Sequence, residues 1–138
     1  TAILPRIDGV EAALKAGCRV LDVGCGMGVS TQALGKNFPA STFLGVDYHQ
    51  ASIDYATQNN KLPNVTYANN SATEPGALVK EGKFNYITIF DCFHDMSNPE
   101  AAARGLSALL TDNGAFILIE PMAGATVGDN QNILGRTY

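Results

Sequence analysis

A short apolar run that ends in alternating glycines sets most of what this chain can fold into. Arg19-Val-Leu-Asp-Val23 has the composition of a β-strand and leads directly into Gly24-Cys-Gly-Met-Gly28. Glycines at alternate positions let the backbone turn sharply and approach a ligand with no side chain between. The spacing is not the dinucleotide fingerprint GxGxxG. Counted from Gly24 its third glycine would stand at Val29, and counted from Gly26 at Thr31.

The rest of the chain alternates in the same sense. Ser30 to Asn37 reads as a helix, Thr42 to Asp47 as a second strand, Ala51 to Asn59 as a helix, and Val65 to Tyr67 as a third strand. Glu74 to Glu81 has room for one or two helical turns. Phe84 to Phe90 is nearly continuously apolar, as suits a strand buried on both faces. Ser97-Asn-Pro99 opens a helix expected to run through Leu110, Asn113-Gly114 reads as its stop, and Ala115 to Glu120 as a fifth strand. Strands alternating with helices predict right-handed βαβ units, hence an α/β domain with about five parallel strands, doubly wound. Ligands of such sheets bind beyond the carboxyl ends of the strands.

Composition narrows the partners. The 138 residues carry 9 Lys+Arg against 13 Asp+Glu, a formal charge of −4, which argues against nucleic acid or an anionic membrane as the main partner. No apolar run reaches the roughly 18 residues of a membrane helix. Three cysteines without a CxxC pair exclude a disulfide scaffold, and no metal is expected. The setting reads as reducing and cytoplasmic. Only 16% of residues are charged, so part of the surface is expected to be covered by something outside this chain. The chain starts at Thr1 and ends in Gly135-Arg-Thr-Tyr138, and is read as one domain over 1–138 that is a piece of a longer protein.

Two carboxylates flank the glycine turn. With the second strand beside the first, Asp47 faces the turn, where a carboxylate can accept both hydroxyls of a ribose. Asp22 suits a cationic group and would repel a pyrophosphate. The implied ligand carries a ribose and a positive charge and lacks phosphates.

Val20-Leu-Asp-Val-Gly-Cys-Gly-Met-Gly28, followed by Leu44-Gly-Val-Asp47, resembles the class I S-adenosylmethionine-dependent methyltransferases over about residues 19 to 122. The resemblance implies a Rossmann-like sheet in the order 3-2-1-4-5, shortened from the family's seven strands. It implies S-adenosyl-L-methionine as cofactor, with the methionine moiety against Gly24, Cys25, Gly26, Met27 and Gly28 and its amino group near Asp22. Asp47 would hold the ribose and Tyr48 would lie against the adenine. Many members carry an acid after the third strand for the adenine amino group. The equivalent stretch here is Asn69-Asn70-Ser71-Ala72, where Asn70 or Ser71 offers a neutral acceptor.

The fourth strand runs into Asp91-Cys-Phe-His-Asp-Met96, and the fifth closes on Glu120. Asp91 is placed with the cofactor. His94 and Glu120 would share the rim of the sheet with the cofactor, as a general base and the carboxylate that orients it. Phe93 to Pro99 with Ile117-Leu-Ile-Glu120 is similar to the small-molecule O-methyltransferases and to winged-helix-linked methyltransferase-like proteins. In the former a histidine deprotonates the substrate hydroxyl and a glutamate helps to position it. Met96 replaces a tryptophan of their motif. The resemblance implies a small-molecule acceptor and a homodimer formed through regions outside this chain. A module that binds S-adenosylmethionine without turnover is the alternative. A nicotinamide oxidoreductase is disfavoured by Val29 and Thr31.

Overall fold

The computed structural model describes residues 4–133, so Thr1 and the terminal Gly135 to Tyr138 lie outside the described residues. Five parallel strands form one sheet: β1 (Arg19–Val23), β2 (Thr42–Asp47), β3 (Val65–Asn69), β4 (Phe84–Phe90) and β5 (Leu110–Ile119). Their order is β3-β2-β1-β4-β5, as the sequence resemblance implies. Among the described residues four α-helices accompany them: α1 (Val10–Ala16), α2 (Val29–Asn37), α3 (Gln50–Asn59) and α4 (Pro99–Ser107). Pro75–Glu81, between β3 and β4, is a 3₁₀ segment.

Side chains alternate across a strand, so β1 feeds two cores. Val20 packs with Leu14, Leu34, Phe38, Phe43 and Ile117 on one face. Leu21 and Val23 pack with Val46, Leu78, Ile87, Ile89 and Leu106 on the other. Burial on both faces explains why β1 and β4 are apolar with little interruption.

Two parts of the pattern differ from expectation. The helix opens at Pro99 as expected, with Asn98 Oδ1 accepting from Ala101 N–H at 3.0 Å, but it stops at Ser107. Leu109 is drawn out of it because its carbonyl accepts the N–H of Phe84 at 2.8 Å, which starts the β4–β5 pairing. Asn113-Gly114, expected to end a helix, instead belongs to an excursion within β5. Leu110 pairs with Phe84 and Ala115 with Tyr86, so four residues bulge out between the two registered stretches. The short α1 has no counterpart in the sequence-based expectation. It is bounded by glycines at positive φ, Gly9 and Gly17, and buries Val10 and Leu14.

β5 is an edge strand, and Phe116 and Leu118 on it are exposed. Among the described residues no helix is long and apolar enough to cross a membrane.

One packing contact makes a direct test. Gly45 in β2 lies under the Tyr67 ring of β3. An added Cβ would stand 2.7 Å from two ring carbons and 3.0 Å from Cys25 Sγ. Gly45→Ala should therefore cost about 1–3 kcal/mol in overpacking and lower Tm by several degrees in a thermal melt. An unchanged Tm would mean that the ring is free to move aside.

Candidate functional site

The glycine turn is hooked onto the neighbouring strand. The carbonyl of Val46, at the end of β2, accepts the N–H of Gly24 at 2.8 Å and of Cys25 at 3.1 Å. Gly24, Gly26 and Gly28 have φ of 70°, 52° and 81°, a region that residues with a Cβ rarely adopt, which accounts for the alternate spacing. Gly24 is further constrained because a Cβ there would overlap Cys92 Sγ.

Asp47 and Asp22 occupy different levels. Asp47 Oδ2 accepts the N–H of Gly26 at 2.9 Å, and Oδ1 accepts the N–H of His49 at the same distance. The carboxylate is thus fixed at the mouth of the turn, and each oxygen keeps a lone pair. Asp22 lies beneath the turn and is 1% exposed. Its Oδ2 accepts the hydroxyls of Thr31 at 2.6 Å and Ser30 at 2.8 Å, and its Oδ1 accepts that of Thr88 at 2.7 Å. Asp22 and Thr88 are register partners on adjacent strands. Burial pushes the Asp22 carboxyl above its ordinary range, and the hydroxyls of Thr31, Thr88 and Ser30 oppose that rise. Asp22 therefore ties β1 to β4 and to the first turn of α2, and it does not line the cavity above.

That cavity, of about 600 Å³, opens beyond the carboxyl ends of β1 to β4. Gly24, Asp47, Tyr48, Asn70, Ser71 and Ala72 line it, all of them named from the sequence. Tyr48 is 79% exposed along its edge. The loop after β3 is drawn to the end of β2 by Asn70 N–H donating to Asp47 O at 3.0 Å and by Asn69 Nδ2 donating to Tyr48 O at 2.9 Å. Asn70 Oδ1 is buried without a hydrogen-bond partner. A buried orphan acceptor is costly, and the residue that carries it is part of the cavity lining. No lysine or arginine lines the cavity, while Asp47 and Asp95 do, so it suits a cation better than a phosphate ester.

Sequence reasoning missed part of the wall. Thr73, Cys92, Asp95, Met96 and Ser97 also line the cavity. Asp91, placed with the cofactor from sequence, lies elsewhere. It adopts φ 55° at the end of β4 and lines a separate hollow of about 290 Å³ with Leu34, Phe90 and Ile119. The 3₁₀ turn Phe93–Asp95 then reverses direction and brings Asp95 to the cavity instead. The sequence offers two acids four residues apart, Asp91 and Asp95, and the 3₁₀ turn between them decides which reaches the cavity. Cys25, Gly26, Met27 and Gly28 shape the turn without lining the cavity; Met27 is exposed.

His94 and Glu120 come together. His94 Nδ1 is hydrogen-bonded to Glu120 Oε2, and Nε2 lies 3.5 Å from Asp95 Oδ1. Glu120 Oε1 accepts the N–H groups of Phe93 at 2.8 Å and Cys92 at 3.1 Å, which fixes the carboxylate. The hydrogen bond to Glu120 raises the His94 pKa above its ordinary 6.5; desolvation opposes it, and the nearby charges of Asp95, Glu120 and Asp91 add to the rise. Burial works to raise the Glu120 pKa, but the hydrogen bonds from His94, Phe93 and Cys92 outweigh it and hold the carboxyl below its usual value. The His94 side chain is 48% exposed, and the pair stands beside the cavity rather than in its wall. Asp91, His94 and Glu120 each bring one ligand-type atom within 4.8 Å of the others, close enough to share one ion, although exposed carboxylates often gather this way without one.

The thiols are chemically quiet. Burial, with Asp22 and Asp47 nearby, pushes Cys25 up to about 12. Burial, with Glu120 and other acids nearby, pushes Cys92 up to about 11. Neither forms an appreciable thiolate at neutral pH, so nucleophilic catalysis by cysteine is disfavoured.

A family model described as a methyltransferase domain matches residues 14–134. The malonyl-[acyl-carrier protein] O-methyltransferase of Bacillus cereus is 28% identical over 102 residues, covering 74% of this chain and 37% of that protein. The ubiquinone biosynthesis O-methyltransferase of Psychrobacter arcticus is 29% identical over 105 residues, covering 75% of this chain and 40% of that protein. The plantazolicin methyltransferase BamL, solved with a triazolic desmethylPZN analogue and SAH, superposes with a TM-score of 0.64 at 30% identity, covering 71% of this chain and 36% of that one. The chain thus spans well under half the length of these relatives.

Proposed function

The chain belongs to the methyltransferase-domain family, and from that premise we propose that it is an S-adenosylmethionine-dependent methyltransferase that methylates a small molecule on oxygen. The observation that carries this reading is the cavity lined by Gly24, Asp47 and Asn70: its wall holds the carboxylate of Asp47, anchored by backbone N–H groups, and Asn70 with its orphan acceptor, and no lysine or arginine. S-adenosylmethionine matches each part. Asp47 accepts the ribose hydroxyls, Tyr48 covers the adenine, Asn70 Oδ1 accepts the adenine amino group, and the acid-lined wall tolerates the sulfonium charge. Glu120 engages one ring nitrogen of His94 and leaves Nε2 to take a proton. The free edge of β5 is where the two further strands of the family's sheet would add.

Bound S-adenosylmethionine supplies an activated methyl group on a sulfonium, and its thioether leaves without protonation. What remains for the chain is alignment, worth on the order of 7–11 kcal/mol in ideal cases, and removal of the acceptor's proton. His94 performs the second task. Its Nε2 accepts the hydroxyl proton as the oxygen becomes the nucleophile, and Glu120, held by two backbone N–H groups, stabilises the resulting imidazolium.

The test is transfer of a labelled methyl group from S-adenosylmethionine to a panel of phenolic, alcoholic and carboxylic acceptors, with NAD as an inert control. Labelled ether or ester and an equal amount of S-adenosylhomocysteine are the expected result. A second reading, binding without turnover, draws on the position of His94 outside the cavity wall. Tight cofactor binding with no transfer to any acceptor would favour it.

A further inference from the structure

The hollow of about 290 Å³ that Asp91 lines lies where β4 and β5 end against the first turns of α2. Ala33, Leu34, Phe90 and Ile119 make its wall mostly apolar. Among the described residues Asp91 is the one charged group in that wall. The other polar member, Ser30, already donates its hydroxyl to Asp22 at 2.8 Å. Asp91 is held in place by its N–H, which donates to the carbonyl of Ile119 at 2.8 Å. An apolar cavity of about 150 Å³ takes up benzene, so this hollow has room for one or two rings.

Asp91 also joins the hollow to the reactive pair. One of its carboxylate oxygens, a ring nitrogen of His94 and a carboxylate oxygen of Glu120 lie within 4.8 Å of one another. The next residue, Cys92, lines the cofactor cavity, so consecutive residues at the end of β4 face the two spaces. A carboxylate or phosphate on a ligand in the hollow would meet the like charges of Asp91 and Glu120, whereas a neutral hydroxyl can donate to them. We propose that this hollow holds the body of the methyl acceptor, an uncharged hydroxylated compound of one or two rings whose hydroxyl lies beside Asp91 and His94. The hydroxyl oxygen forms the new bond to the methyl carbon, the carbon–sulfur bond breaks with its electron pair going to sulfur, and the proton passes to His94. This deepens the methyltransferase reading given above and rests on it.

Ala33 lines the hollow and not the cofactor cavity, so Ala33→Phe fills the one and leaves the other. Ala33→Leu fills less of it and takes the place of the larger variant if a thermal melt shows that the ring loosens the fold. Calorimetric titration uses 2-naphthol as the probe, with S-adenosylhomocysteine in parallel. Wild-type protein should bind 2-naphthol saturably. The filled variant should bind it at least about tenfold more weakly, because the new side chain takes the apolar contacts the probe would make, with unchanged affinity for S-adenosylhomocysteine. In steady-state transfer, KM for 2-naphthol should rise by a similar factor while KM for S-adenosylmethionine stays constant. A wild-type protein that bound S-adenosylhomocysteine but not 2-naphthol, or a filled variant that bound 2-naphthol as wild type does, overturns the assignment. Binding of 2-naphthol without methyl transfer to it overturns the hollow's role as the acceptor site. Wild-type protein that bound no S-adenosylhomocysteine would overturn the cofactor reading itself, and this inference with it.

Discussion

Replacing His94 by alanine should lower kcat by about 10²–10⁴-fold, the usual worth of a positioned general base, without weakening cofactor binding. The split follows from geometry, since His94 stands beside the cavity and its ring nitrogens meet Glu120 and Asp95, with no hydrogen bond to Asp47, Tyr48 or Asn70, the residues assigned to the adenosine. The pH profile adds a signature that a structural role would not show. The folded pKa of His94 is raised above 6.5, first by the hydrogen bond to Glu120. The neutral, proton-accepting ring therefore predominates only above that raised value, and kcat/KM should climb with pH through a midpoint above 6.5. Glu120→Gln removes the largest raising influence, so the limb should move to lower pH while the maximal rate falls. The same shifts act on stability. The contribution of His94 is fully present below pH 6.5 and is lost as pH rises through its folded pKa, while that of Glu120 is present above 4.5 and is lost as pH falls through its lowered pKa. A His94→Ala protein that kept its rate would remove the base from the mechanism.

Asp47→Ala should abolish measurable cofactor binding at ordinary concentrations. A hydrogen bond to a charged acceptor is worth about 1.5–3 kcal/mol, so losing two ribose hydroxyl contacts weakens binding by roughly 100-fold or more. The variant also releases the Gly26 N–H, which the carboxylate now holds at 2.9 Å, and so loosens the turn. Asp47→Asn keeps an acceptor for part of this set and should fall between the two. Equal affinity in wild-type and alanine proteins, measured by titration on folded samples, would take the ribose away from Asp47.

The parts of the fold that could be read from sequence are those set by local pattern. β1, β2 and β4 match their expected bounds because each is a run of strand-forming residues stopped by glycine or by a change to polar residues. β3 extends two residues further than expected, to Asn69, because Ala68 and Asn69 pair with Val46 and Asp47 on β2. Nothing in Ala-Asn favours a strand; the neighbour imposes it. The junction of α4 and β5 failed for the same reason. Leu106, Leu109 and Leu110 carry a helical spacing, but pairing with Phe84 claims the last two for the sheet. α1 has a weak local signal, Val10 and Leu14 four apart between two glycines.

The site divides in the same way. Gly24, Asp47, Tyr48 and Asn70 to Ala72 follow directly from strand ends, and strand ends are what the alternation locates best. Asp91 and Asp95 illustrate the limit. Which of two acids faces the cavity depends on a left-handed residue and one 3₁₀ turn, conformations that sequence periodicity does not encode. Asp22 shows another limit, because an acid beside a glycine turn can serve the ligand or the scaffold. Here Ser30, Thr31 and Thr88 occupy its oxygens. The two threonines and the serine were in view in the sequence, but only the register of β1 against β4 and the seat of α2 bring them to Asp22.

The most direct test of the cofactor assignment is a calorimetric titration of the purified protein with S-adenosylhomocysteine, run beside NAD. Saturable binding at one site, with no heat of binding from NAD, is the expected result. A folded protein that bound no S-adenosylhomocysteine, or that bound NAD in its place, would contradict the assignment of this cavity to S-adenosylmethionine.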